Sequence, residues 1–120
     1  FKKGKEVIFE KVRSQQGFTL ENQEGRLTDF EDVDIEEYLQ DMFVTADQFV
    51  ILTAPEPRRK VRYVQACTHD GAIEVELGIE EEGTRLYYNM CTEQECCRIF
   101  LDFYDGMLEP KMEEYKPVEF

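Results

Sequence analysis

Four cysteines and a single histidine are the side chains of this 120-residue chain best suited to covalent or metal chemistry. Cys67 and His69 lie two residues apart, so on a strand they share one face. Cys91, Cys96 and Cys97 surround the start of a segment with helical periodicity. Zinc asks for about four soft ligands in tetrahedral array, usually from Cys-x-x-Cys or Cys-x-x-His knuckles, and the chain has neither. On a helix Cys96 and Cys97 project about 100° apart, which keeps the pair from one ion. A thiol nucleophile is the second option. Cys91, just before a helix N-terminus, would gain some thiolate stabilisation from the helix dipole. It would also need a base, and His69 is the one imidazole. Buried structural thiols are the expected role. No catalytic residue, metal or cofactor is expected.

Carboxylates are too numerous to single out an acid–base pair. There are 27 acidic residues against 14 basic, a net charge of −13, and two-carboxylate chemistry needs one pair held in a cleft with separated pKa values. No glycine-rich phosphate loop, serine nucleophile elbow or calcium loop is present. A surface this acidic repels nucleic acid and anionic lipid and steers basic partners toward it. The charge is uneven: residues 1–16 carry +3, residues 17–60 carry −7 and residues 61–120 carry −9. The basic start reads as a loose, solvated segment.

The elements that must position these groups follow from periodicity. Ala72 to Glu80 alternates, with Ile73, Val75, Leu77 and Ile79 on one side and Glu74, Glu76 and Glu80 on the other. Val61 to Thr68 precedes it across an Asp70-Gly71 tight turn. Thr84 to Met90 follows as a strand, and Arg85, Tyr87 and Asn89 are expected beside the row of glutamates. Phe18 to Leu20 and Arg26 to Phe30 read as two short strands around a turn at Gly25. Gln48 to Ala54 is apolar on both faces, as a central strand would be. Pro55 to Lys60 reads as a solvated connection in which proline forbids regular pairing.

Two amphipathic helices complete the plan. Asp34 with Glu37 makes a capping box for the first, with Val33 and Tyr38 as its staple and Ile35, Leu39, Met42 and Phe43 as its apolar stripe. Thr92 with Glu95 makes another for the second, which Gly106 ends. Residues 107–120, with Pro110 and Pro117, read as an extended tail along the body. The expected fold is α+β: one domain, a mainly antiparallel sheet with two helices packed on it.

The cysteines have neither the density nor the spacing of a disulfide-stapled secreted domain, and reduced thiols suit a cytoplasmic protein. No apolar run reaches the length of a membrane span and no signal peptide is visible. In size, charge and compact α+β plan the chain resembles the small acidic immunity proteins with which bacteria neutralise their own secreted toxins. That resemblance implies a non-enzymatic inhibitor of a basic protein, often a nuclease whose phosphate-receiving site an acidic surface can occlude. The residues expected to carry binding are Glu74, Glu76, Glu80 and Tyr87 on the sheet, with Asp34, Glu36 and Glu37 on the first helix. The alternative is a pocket between sheet and helix, binding a small molecule or using Cys67, His69 and Cys91. A homodimer through Phe49 to Leu52 is a third expectation.

Overall fold

Tight turns and capped helices divide the chain into its elements. The computed structural model describes residues 17–118. The expected loose basic segment, residues 1–16, lies outside them, as do residues 119 and 120. Within the described residues β1 (Thr19–Asn22) and β2 (Gly25–Leu27) form a hairpin, followed by α1 (Asp32–Phe43). Four longer strands come next: β3 (Phe49–Arg58), β4 (Val61–His69), β5 (Ala72–Glu80) and β6 (Thr84–Cys91). Then α2 (Glu93–Tyr104), a short 3₁₀ turn (Met112–Glu114) and β7 (Lys116–Pro117) close the chain. The strands lie in the order β2-β1-β3-β4-β5-β6-β7, and every pairing is antiparallel. It is an α+β protein, as its periodicity implies.

Both helices cover the same face. The side chains of β5 that alternate inward, Ile73, Val75, Leu77 and Ile79, are buried with Val50, Leu52, Val64 and Ala66 of the neighbouring strands. Ile35, Leu39 and Met42 of α1 and Cys96, Phe100 and Phe103 of α2 close this core from above. Helical stripes and strand alternation thus meet in one layer, where burial of each large apolar side chain contributes about 1.5–3 kcal/mol.

The second helix begins as its sequence specifies. The Glu95 N–H donates to Thr92 Oγ1 at 3.1 Å, and the Thr92 N–H donates to Glu95 Oε1 at 2.9 Å. Two reverse bonds close its far end, Gly106 N–H to the Phe103 carbonyl and Met107 N–H to that of Asp102. This is the Schellman pattern that satisfies the last carbonyls. The first helix differs from expectation. It starts at Asp32 with Glu31 as its cap, so Asp34 is the third helical residue, and its carboxylate accepts from the Glu31 N–H at 2.8 Å. Asp34 is thus the reaching-back partner of a cap three residues earlier. Val33, expected to staple the cap, sits inside the helix and is half exposed.

The prolines of β3 interrupt pairing without ending the strand. Register with β4 holds to Thr53 opposite Tyr63, breaks across Pro55 and Pro57, and resumes at Arg58 opposite Val61. Proline removes a ladder donor, yet its backbone suits extended chain. Residues 55–58 are therefore strand, and the connection shrinks to Arg59 and Lys60. Arg58 is half-buried rather than free in solvent. Its guanidinium lies 4.7 Å from the Phe18 ring centre and donates to the Tyr104 carbonyl at 3.1 Å.

Candidate functional site

The sheet face away from the helices is where the expected acidic residues must be judged. Antiparallel pairing puts directly opposed residues on the same side. Glu74 stands between Cys67 of β4 and Met90 of β6, and Glu76 stands between Gln65 and Tyr88. Gly78 stands between Tyr63 and Leu86, and Glu80 is opposed to Thr84. Further along the sheet, Phe49 is opposed to Cys67 and Ile51 to both Gln65 and Glu21. Most of these side chains are neither buried nor fully exposed. They form a half-wet surface of carboxylates among rings and aliphatic groups, with no helix over it among the described residues.

Tyr63 is the best-anchored member. It lies over Gly78 and donates its hydroxyl to Glu76 Oε2 at 3.0 Å. Burial, followed by the charge of Glu76 and its hydrogen bond, holds the phenol well above its ordinary value. The hydroxyl therefore stays a donor at neutral pH, and Glu76 stays a fixed acceptor. Glu80 approaches Arg62 at 4.0 Å. Among the described residues neither Glu74 nor Glu76 forms an ion pair, so their charge is available to a visiting cation.

The other expected residues are not gathered here. Tyr87 opposes Leu77, so it points to the helix side of the sheet, together with Arg85 opposite Ile79 and Asn89 opposite Val75. The expectation that these three flank the glutamates is off by one residue, and such a slip moves a whole strand's side chains to the other face. The turn explains it: Glu80 pairs with Thr84 around a three-residue loop, with Glu82 and Gly83 at positive φ. Tyr88, Leu86 and Met90 take the places beside the acids. Asp34, Glu36 and Glu37 belong to α1, in the other layer. Glu36 and Glu37 line a shallow depression with Val33 and Gln40, and Glu36 also raises the pKa of Cys97, after burial.

The thiol and imidazole candidates are split as well. Cys67 and His69 are on the open face, whereas Cys91 opposes Ile73 and points to the core. His69 is exposed between Asp47 and Asp70, at 3.6 Å from each. Among the described residues no hydrogen bond joins Cys67 to His69, whose ring nitrogens face the two aspartates instead. Burial and the charges of Glu74 and Glu76 push the Cys67 thiol up, away from the reactive thiolate. A cavity of about 390 Å³ does lie between α1 and the sheet, lined by Asn22, Tyr38, Asp41, Met42 and Gln48 among others. None of Cys67, His69 and Cys91 lines it.

Sequence reading missed Tyr63, Tyr88, Phe49 and Ile51 as neighbours of the glutamates. A usable signal was present. Pairing His69 with Ala72 across the Asp70-Gly71 turn, and counting back in twos, reaches Gln65 opposite Glu76. The chain matches no known protein family, no curated protein and no solved structure. Among the described residues no helix is long and apolar enough to cross a membrane.

Proposed function

We propose that the protein is a non-enzymatic binding module for a basic protein, which it engages through the open face of its sheet. The observation that carries this reading is the pair Glu74 and Glu76, free of ion pairs among the described residues and set beside Tyr63, Tyr88 and Met90. Carboxylates with rings at their sides attract Lys and Arg by charge and by cation–π contact. Partial exclusion of water by the rings strengthens both effects. The net charge of −13 extends the same preference to long range and speeds encounter with a basic surface. In its finer form the reading is a cytoplasmic inhibitor of a basic nuclease toxin, covering a site made for phosphates.

The test is capture from the native host by wild-type protein and by the triple variant Glu74→Lys/Glu76→Lys/Glu80→Lys. A stoichiometric basic partner should be held at low salt, released as salt rises, and lost by the triple variant. Equal retention by both baits would place the interface elsewhere. The three side chains are partly exposed, so the variant should keep its circular dichroism spectrum.

A further inference from the structure

The thiols of Cys91 and Cys96 stand in a relationship that the basic-partner reading does not use. Cys91 is the last residue of β6, Thr92 caps α2, and Cys96 is the fourth helical residue. The residue before a cap and the fourth residue of the helix are the two positions that close on each other as a hydrophobic staple. Here both are cysteine, and the two thiols are near enough that each is the leading influence on the other's ionisation. The strand fixes one sulfur and the helix fixes the other.

We propose that Cys91 and Cys96 form an oxidisable dithiol whose co-reactant is a low-molecular-weight disulfide such as oxidised glutathione. Cys91, at the strand end and pointing toward the core, is still partly exposed, whereas Cys96 is fully buried, so Cys91 is the residue of the pair nearer to solvent. The Cys91 thiolate attacks one sulfur of the reagent, giving a mixed disulfide and releasing one reduced glutathione. Cys96 then loses its proton to solvent and attacks the Cys91 sulfur, giving the Cys91–Cys96 disulfide and a second reduced glutathione. Two protein thiols are oxidised and one reagent disulfide is reduced, so the electrons balance.

Chemical environment agrees with this order. The neighbouring Cys96 thiol lowers the pKa of Cys91, outweighing burial and the charge of Glu95. Cys96 is raised, first by the Cys91 thiol and then by burial and the charges of Cys91 and Cys97. The proton is thus held on the inner sulfur, and the outer one is the attacking thiolate. Of the remaining thiols, Cys67 is on the opposite face of the sheet, and Cys97, next to Cys96 on the helix, faces Glu36 and Glu93 as well as Cys91, which is why the test removes it.

The proposal is independent of whether the open face binds a basic protein, and its test uses no partner. The full chain carrying Cys67→Ser/Cys97→Ser is incubated with oxidised glutathione at neutral pH, quenched in acid, and its intact mass measured. The expected product has lost the mass of two hydrogens and both alkylatable thiols, and dithiothreitol restores them. Adding Cys96→Ser should instead leave one glutathione attached to Cys91. A double-serine protein that stays reduced, carries glutathione on both sulfurs or links into dimers would overturn the proposal. Should that variant not fold, the wild-type tryptic peptide 86–98 holds all three relevant cysteines and can be sequenced after oxidation. A Cys91–Cys96 bond there supports the assignment, and any other pairing, or none, overturns it.

Discussion

The Tyr63 ring occupies the space above Gly78 so fully that a Cβ added there would collide with Tyr63 Cε2. The missing side chain lets the ring lie flat on the sheet, and from that position its hydroxyl reaches Glu76. Gly78→Ala must displace the ring or shift the strand, an overpacking cost of about 1–3 kcal/mol. Tyr63→Phe keeps the packing and removes one hydrogen bond, about 1 kcal/mol. Urea unfolding should therefore rank Gly78→Ala below Tyr63→Phe, and both below wild type. An unchanged midpoint for Gly78→Ala would mean that the ring is not seated on the glycine.

Arg58 ties the end of β3 to the end of α2. Its guanidinium stacks on Phe18 and donates to the Tyr104 carbonyl, giving the helix C-terminus a positive charge that its own last turn lacks. Arg58→Ala loses the stacking and the hydrogen bond, together about 2–3 kcal/mol. Arg58→Lys keeps the charge without the planar fork and should fall between the two. Equal stability of Arg58→Lys and wild type in urea would show that charge alone matters here.

The contrast between these residues shows what the sequence can and cannot carry. Thr92, Glu95 and the alternation of Ile73 to Ile79 are local signals: a cap needs residues three apart, and a buried strand face needs every second residue apolar. Both led to the right elements. Arg58 failed because its partners, Phe18 and Tyr104, are distant in the chain, and a cation that follows two prolines and opens a basic run looks solvated until they are in place. Tyr87 failed for a different reason. Alternation reveals two faces of β6 but not which one meets the glutamates of β5; the length of the loop at 81–83 decides that. The open face was thus legible as a row of acids, and its aromatic neighbours only after register was known.

Alkaline pH should destabilise the fold through buried phenols. Tyr104 is pushed up to about 12 by burial and then by Asp32, Glu31, Asp105 and Asp34. Tyr115 is pushed up to about 12 by burial and then by Cys91, Glu114, Cys96 and Glu95. The unfolded chain releases these protons near the ordinary value of 10.0, before the folded one does. The unfolded state therefore binds fewer protons above that value, and stability falls as pH rises. The contribution is complete below pH 10 and is lost between about 10 and 12. Tyr104→Phe removes one such group, and also the hydroxyl's 3.0 Å bond to the Phe30 carbonyl. It should start less stable and lose less across that window. A parallel loss in both proteins, followed by urea midpoints, would remove Tyr104 from the explanation.

The turn joining β3 to β4 invites a stabilising change. Arg59 and Lys60 both have positive φ, 50° and 73°, a conformation that costs an L-residue about 1–2 kcal/mol. Asn-Gly is the pair best suited to a two-residue turn of this kind. The existing side chains offset part of the strain, since Arg59 pairs with Glu109 and Lys60 with Glu81. All four are well exposed, and such pairs contribute about 0–1 kcal/mol each. Relief of two strained residues outweighs that loss. Arg59→Asn/Lys60→Gly should therefore gain about 1 kcal/mol overall, and the gain should grow in high salt, where the ion pairs of the wild type are screened. A lower urea midpoint for the double variant at every salt concentration would mean that the pairs with Glu109 and Glu81 hold the hairpin more strongly than its backbone opposes it.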